Sequence, residues 1–310
     1  MERGIDMAEV DATYKTKGMG WVSDIPDFRD YTLTHDEISP MLKGVGIKKT
    51  ESKRLPAKTD LRPWCSPIED QGGLGSCTAQ AGVGLIEYYE YRAFKSYINA
   101  SRLFLYKVTR NLLGWPGDTG AYLRTTMGAM ALFGVSPEKY WTYTTAHPRP
   151  EYATARHFDM EPPAFCYAFA ANYQALKYFR IDSPGSSFKP VVERVKMLLA
   201  AGLPSMFGFT VMSSISQAGN NGEIPFPCKN ESVRGGHAIV AIGYDDSKVI
   251  VNTSCNKKTK GAFLIRNSWG TGWGDNGYGW LPYEYVLKGG TRDWWTMFKQ
   301  EYVKTKEFGF

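Results

Sequence analysis

Gln71-Gly72-Gly73-Leu74-Gly75-Ser76-Cys77-Thr78-Ala79 is a glycine-rich turn that delivers one cysteine to the start of a helix. Downstream, Val83, Ile86, Tyr89 and Ala93 recur at helical spacing with Ser76 as the N-cap, so a helix of about five turns begins at or next to Cys77. A thiol in that place faces the unpaired N–H groups and the positive end of the helix dipole, and both favour its thiolate. Cys77 therefore reads as a poised nucleophile. Gln71 lies on the same folded-back loop, where its side-chain NH₂ can reach a tetrahedral oxyanion beside the Cys77 N–H. Taken singly, each has a plain structural reading: a small buried thiol at a tight helix entry, and a loop amide bonded to nearby backbone.

Two further stretches change that balance. Gly235-Gly236-His237-Ala238-Ile239-Val240-Ala241-Ile242-Gly243-Tyr244 puts one of only four histidines at the head of an apolar strand. Phe263-Leu264-Ile265-Arg266-Asn267-Ser268-Trp269-Gly270-Thr271-Gly272-Trp273-Gly274 puts an asparagine at the end of another. With the Cys77 turn, these blocks resemble the three signature blocks of the papain family of cysteine peptidases, in that family's order of Cys, His and Asn. The resemblance covers roughly residues 57 to 285 and is tightest around Asn267.

The resemblance implies an α+β fold with two lobes, one helical and one an antiparallel barrel-like sheet, and an active site in the groove between them. It implies peptide-bond hydrolysis through a thiolate–imidazolium pair and an acyl-enzyme, with no cofactor and no metal. Cys77 would attack the scissile carbonyl, and His237 would hold the proton and pass it to the leaving amine. Asn267 would steady the imidazole under the shield of Trp269, and Gln71 would stabilise the oxyanion. Gly120 and Ala121 fall where the family pairs substrate backbone with a loop edge. Ala238, Phe207 and Phe209 fall along the family's S2 pocket, which is expected to take apolar side chains. Two alternatives use the same framework: a catalytically silent peptide-binding protein, and an acyl transferase or deamidase.

Several positions depart from the family pattern. Thr78 follows the cysteine where Trp is usual, Leu74 stands where many members have a cysteine, and Gly236 replaces an acidic residue before the histidine. The interval from His237 to Asn267 is long, and Asp245 to Lys260 reads as an extended hairpin.

The rest of the chain fits this organisation. Helices are expected from Tyr122 to Phe133 and from Pro190 to Ala201, and strands at 204–212, 237–244, 248–253 and 261–267. Helices first and strands afterwards give an α+β class. Residues 56–310 are assigned to the peptidase domain, with a helical lobe over about 56–165 and a β lobe over about 166–310.

Residues 1–55 read as an extension ending in a polar linker, Lys48 to Arg54, which is the expected place for cleavage. The extension's segment from Trp21 to Tyr31 is rich in aromatic residues that need a partner surface. It is expected to lie across or beside the substrate groove and restrain activity, the competing expectation being permanent packing on the back of a lobe.

The net charge of +6 comes from 37 basic and 31 acidic residues that are interspersed, so the chain carries no basic stripe for nucleic acid. No apolar run approaches a membrane span, and the first twenty residues lack a secretory pattern. A cytoplasmic setting and a peptide or protein substrate are therefore expected. Five cysteines, an odd number, argue against a disulfide scaffold. Cys228 and Cys255 could approach each other, but their pairing does not follow from sequence. No Cys-x-x-Cys or His-x₃-His spacing suggests a metal site.

Overall fold

The computed structural model describes residues 17–47, 55–149, 156–175, 177–183 and 188–298. In chain order its main elements are α1 (Ile38–Gly44), β1 (Lys58–Asp60), α2 (Cys77–Phe94), α3 (Arg102–Leu113), α4 (Leu123–Leu132), α5 (Ala164–Ala170), β2 (Lys177–Arg180), α6 (Phe188–Ala200), β3 (Ser205–Met212), β4 (Val233–Asn252), β5 (Lys257–Arg266), β6 (Tyr278–Pro282), α7 (Tyr283–Leu287) and β7 (Thr291–Phe298). The expected helices at 77, 122 and 190 correspond to α2, α4 and α6.

α2 is buried along almost its whole length because it is covered on both sides, by α3 and α4 and by β4. Two glycines on it allow that approach. A Cβ at Gly82 would lie 3.1 Å from Leu105 of α3, and one at Gly84 would lie 3.2 Å from Arg266 of β5. Arg266 crosses to the segment before α2, donating to the Ser66 carbonyl, to Ser66 Oγ (3.1 Å) and to the Pro67 carbonyl (2.7 Å).

The strands among the described residues form one antiparallel sheet in the order β2-β7-β3-β4-β5-β6, with β1 pairing β4 off this path. The sheet is open, which corrects the barrel-like expectation. Its end strands are covered by loops instead of by each other: Thr32 bridges Arg180 on β2, and Glu223 bridges Trp280 on β6. The two strands expected at 237–244 and 248–253 are one strand, β4. The polar Asp245-Asp246-Ser247-Lys248 run is absorbed as an irregularity in its pairing with β5, where the register shifts between Asp245 and Val249. Beyond that shift, Val249 to Asn252 pairs with Lys257 to Lys260 as the expected hairpin, and a disulfide joins Cys255 near its tip to Cys228. Cys65, Cys77 and Cys166 are free thiols.

The N-terminal extension is part of this body. Ile38 and Leu42 of α1 are buried, as are Val45 and Ile47. Asp24 and Asp30 both hold Arg124 of α4, Asp30 at 2.7 Å, and the Tyr31 carbonyl accepts from Arg180 N at 2.7 Å. The expected cleavage stretch from Lys48 to Arg54 lies outside the described residues.

Candidate active site

Four elements bring the expected side chains to one place. Cys77 is the first residue of α2, His237 lies near the head of β4, Asn267 follows the last residue of β5, and Gln71 sits on the turn before α2. His237 Nε2 donates to Asn267 Oδ1 at 2.8 Å, and the same oxygen accepts from Ser268 N at 2.8 Å. The imidazole is stacked on Trp269, with ring centres 4.6 Å apart. His237 Nδ1 has no hydrogen-bond partner among the described residues. The β4 backbone reaches the thiol, since the Ala238 N–H is among the amides that favour the Cys77 thiolate.

Ser76 occupies the N-cap position of α2, but its side chain does not cap the helix. Its Oγ instead meets Tyr143 Oη at 2.6 Å, and that hydroxyl donates to the Gln71 carbonyl at 3.0 Å. The Gln71 amide is oriented from the other side. Ser268 Oγ donates to Gln71 Oε1 at 2.6 Å, which turns Nε2 toward the groove. The signal for Ser268 was present in the Asn267 block. Tyr143 has none, because it comes from a loop far along the chain.

The groove is filled by the chain's own residues 17 to 22. Gly18 N donates to the Gly72 carbonyl at 2.8 Å, and Gln71 Nε2 donates to the Gly18 carbonyl at 2.9 Å. Gly20 N points at Cys77 Sγ, 3.3 Å away. Ala121 N donates to the Gly20 carbonyl at 2.8 Å and Val22 N donates to the Ala121 carbonyl at 3.2 Å, which makes Trp21 and Ala121 a parallel bridge. Trp21 N donates to the Gly236 carbonyl at 3.1 Å. Ala121 pairs the chain's own segment here, and Gly120, at φ +72°, allows the close approach: a Cβ there would lie 2.2 Å from the Gly20 carbonyl oxygen.

This segment lies close because it is glycine at two positions. A Cβ at Gly18 would stand 2.1 Å from the Leu74 carbonyl oxygen, and one at Gly20 would stand 1.7 Å from that of Gly75. With the groove filled, Cys77 and His237 are both fully buried. Burial pushes the Cys77 thiol up to about 11, against the pull of the Ala238, Gly20, Thr78 and Trp21 amides. It also pushes His237 down to about 4, against its bond to Asn267. Desolvation outweighs the helix terminus here, so the pair is neutral in this state.

Strand alternation corrects one expectation. Phe207 stacks on Trp294 and Phe209 packs edge-on against His237, whereas Gly208 between them turns to the opposite face and lies under the Trp21 ring. Ala238, the register partner of Gly208, shares that face, as does Gly236. The part of β3 turned toward the Trp21 ring is therefore Gly208 and not the two phenylalanines.

A family model described as papain family cysteine protease matches residues 55–286. The chain belongs to this family. Xylellain, a cysteine protease from Xylella fastidiosa, is 32% identical, with a TM-score of 0.71 over 92% of this chain and 97% of that one. An uncharacterised peptidase C1-like protein of Acanthamoeba polyphaga mimivirus is 31% identical over 89% of this chain and 85% of its own length. Chicken cathepsin K is 27% identical over 79% of this chain and 68% of its own. The chain is accordingly a cysteine peptidase, a hydrolase of the papain family. Among the described residues no helix is long and apolar enough to cross a membrane.

Proposed function

We propose that this peptidase is latent in the form described, with residues 17–22 acting as an intramolecular plug, and that Cys77, His237, Asn267 and Gln71 hydrolyse peptide or protein substrates once the plug leaves. The observation that carries this reading is the pair of contacts made by the plug at the reacting centre. Cys77 Sγ meets the Gly20 N–H, and the amide of Gln71 is taken by the Gly18 carbonyl two residues away. A bound substrate must put one carbonyl carbon against the sulfur and that same carbonyl's oxygen on Gln71. The plug offers a donor to the sulfur and a different residue's carbonyl to the oxyanion donor, so it fills the groove without presenting a bond for attack.

After release, solvent and the amides at the head of α2 stabilise the thiolate, and His237, held by Asn267 with Nδ1 unengaged, takes the proton as imidazolium. The thiolate adds to the carbonyl, Gln71 and the Cys77 N–H hold the oxyanion, and His237 protonates the leaving amine to give the acyl-enzyme. Water then resolves it with His237 as base. Trp269 keeps the His237–Asn267 bond dry, and Ala121 pairs the substrate backbone as it pairs the plug. The cytoplasmic setting expected from sequence has the Cys228–Cys255 disulfide against it, since such bonds persist in oxidising compartments.

The test is hydrolysis of fluorogenic dipeptide amides by the full chain carrying Gly20→Val, whose side chain would collide with the Gly75 carbonyl and unseat the plug, and by the same chain with Cys77→Ala added. Loss of turnover in the variant, with its fold unchanged, supports the reading. Residual turnover above a trace removes Cys77 as the nucleophile.

A further inference from the structure

The two donors assigned to the oxyanion, the Gln71 amide and the Cys77 N–H, stand at opposite ends of one glycine-rich turn. Gly72, Gly73 and Gly75 between them supply no side chains to fix its shape, and Gly72 is at φ +57°. Contacts from outside the turn therefore set the span between the donors. The β lobe holds one end. Gln71 N donates to the Ser268 carbonyl at 2.9 Å, and Ser268 Oγ donates to Gln71 Oε1 at 2.6 Å.

On the helical side a single hydroxyl touches both ends. Tyr143 Oη donates to the Gln71 carbonyl at 3.0 Å and lies 2.6 Å from Oγ of Ser76, the residue before Cys77. A phenol has one proton to give, and here it goes to the carbonyl, so Ser76 is the donor in the second bond. This explains why a serine at the N-cap position of α2 leaves the helix uncapped by its side chain. Ser76 is wholly buried, and burial pushes the Tyr143 phenol up to about 12, so the hydroxyl keeps its proton at neutral pH.

Tyr143 is in turn anchored. Its N–H donates to Glu138 Oε1 at 2.6 Å, Glu138 pairs with Arg102 at 3.2 Å, and Ser101 Oγ donates to the Trp141 carbonyl. The turn that carries the tyrosine is thereby tied to the head of α3. Two residues on, the same loop meets the glycine turn again: a Cβ at Gly72 would stand 3.0 Å from Thr145 Cγ2.

We propose that Tyr143 is a positioning residue of the oxyanion hole, its hydroxyl fixing the span between the Gln71 amide and the Cys77 N–H. The inference rests on the reading of Cys77 as the nucleophile and Gln71 as an oxyanion donor. Tyr143 bonds to Gln71 and Ser76 and acts through them. Both donors must reach one oxygen, and a misplacement of ~1 Å is enough to forfeit much of what a donor contributes.

The test is Tyr143→Phe in the full chain carrying Gly20→Val. The change removes one hydroxyl and keeps both the ring, whose centre is 5.7 Å from Arg102 Cζ, and the backbone bond to Glu138. On fluorogenic dipeptide amides kcat is expected to fall about tenfold with KM within about twofold, short of the 10²–10³-fold loss for removing a donor outright. Alkylation of Cys77 by iodoacetamide forms no oxyanion and needs only the thiolate, so its rate should stay within about twofold. In Gln71→Ala the hydroxyl has no span left to set, and adding Tyr143→Phe should lower kcat by less than about a further twofold. Unchanged kcat, alkylation slowed as much as hydrolysis, or a full tenfold loss in the Gln71→Ala background overturns the inference. Ser76→Ala removes the other partner of the hydroxyl and no helix cap, so it decides the matter if Tyr143→Phe does not fold. It should lower kcat at least about threefold with alkylation unchanged, and an unaltered kcat overturns the inference. Absence of turnover in Gly20→Val itself, or an unchanged kcat in Gln71→Ala, is the failure of the reading of the site, and the inference falls with it.

Discussion

Gly20→Val should convert the latent chain into an active one. The substitution places a side chain where the Gly75 carbonyl oxygen is 1.7 Å from the Cβ position, a collision of backbone with backbone that no rotamer relieves. To avoid it, residues 18 to 22 must lift from the groove. They thereby give up the bonds of Gly18 to Gln71, Gly20 to Cys77 and Ala121, Trp21 to Gly236, and Val22 to Ala121. At a net ~1 kcal/mol for each such bond, together with exposure of the Trp21 ring at another ~2 kcal/mol, the docked state loses several kcal/mol. A loss of about 3 kcal/mol already raises the open fraction more than a hundredfold. Because the plug and the substrate compete for one groove, the change belongs in KM. The substrate assay with active-site titration should show KM falling by at least tenfold while kcat per competent thiol stays constant. Gly44→Ala is the control, since a Cβ there meets nothing within 4 Å although the residue belongs to the same extension. Equal kcat/KM for Gly20→Val and the parent, with both folded, would refute the argument. Truncation at Leu55 is a poorer test because it also removes Ile38 and Leu42 from the core.

Gln71→Ala, made in the activated background, should lower kcat by about 10²–10³-fold with little effect on KM, as loss of one oxyanion donor does; an unchanged kcat would make Gln71 a loop residue only. pH should act on the plug in Cys77→Ala, where no thiolate holds the proton of the open His237. That residue is pushed down to about 4 when the groove is closed, so closure favours the neutral imidazole and weakens as pH falls from about 6.5, the ordinary histidine value, toward 4. Limited proteolysis of residues 17–22 in Cys77→Ala should therefore quicken by about tenfold or more across that window relative to the same chain carrying Gly20→Val, and a flat ratio from pH 7 to 4.5 would contradict it. Cys228→Ser opens a loop closed over a sequence separation of 27, which costs about 3.5 kcal/mol on the loop-entropy model. The melting temperature should fall by roughly 5–10 °C, whereas no shift would show that the hairpin is held by its other contacts.

The grouping of Cys77, His237, Asn267 and Gln71 was legible in the sequence because these residue types sit in short local blocks. Cys77 opens a helix whose apolar spacing is plain, and His237 and Asn267 are attached to strands bounded by glycine and tryptophan. The strand break assigned at Asp245 to Lys248 was an error of a local kind: polar residues read as a turn, but tertiary pairing carried β4 straight through them. Helix α3 went unread although Ser101 caps it, accepting from Phe104 N, and Gly114 closes it.

The parts of the site that were missed depend on which face of an element is turned inward. Phe207 and Phe209 drew attention as aromatic residues, while the groove needed the glycine between them. Asp293, which accepts from Trp21 Nε1 at 3.1 Å, reaches it only through a left-handed backbone in a strand that was not foreseen. The docking of Trp21 was foreseen as a need for some partner surface. Its seat against Gly208 and Asp293 needed the assembled fold.

Mass-spectrometric mapping of iodoacetamide-labelled cysteines in the full chain and in Gly20→Val, beside residual activity, asks whether the plug covers the nucleophile. Cys77 in the parent should resist labelling at neutral pH. In Gly20→Val it should be alkylated first and in proportion to lost activity, while buried Cys166 stays unmodified. Equal labelling of Cys77 in both proteins, or loss of activity with Cys77 unmodified, would contradict it.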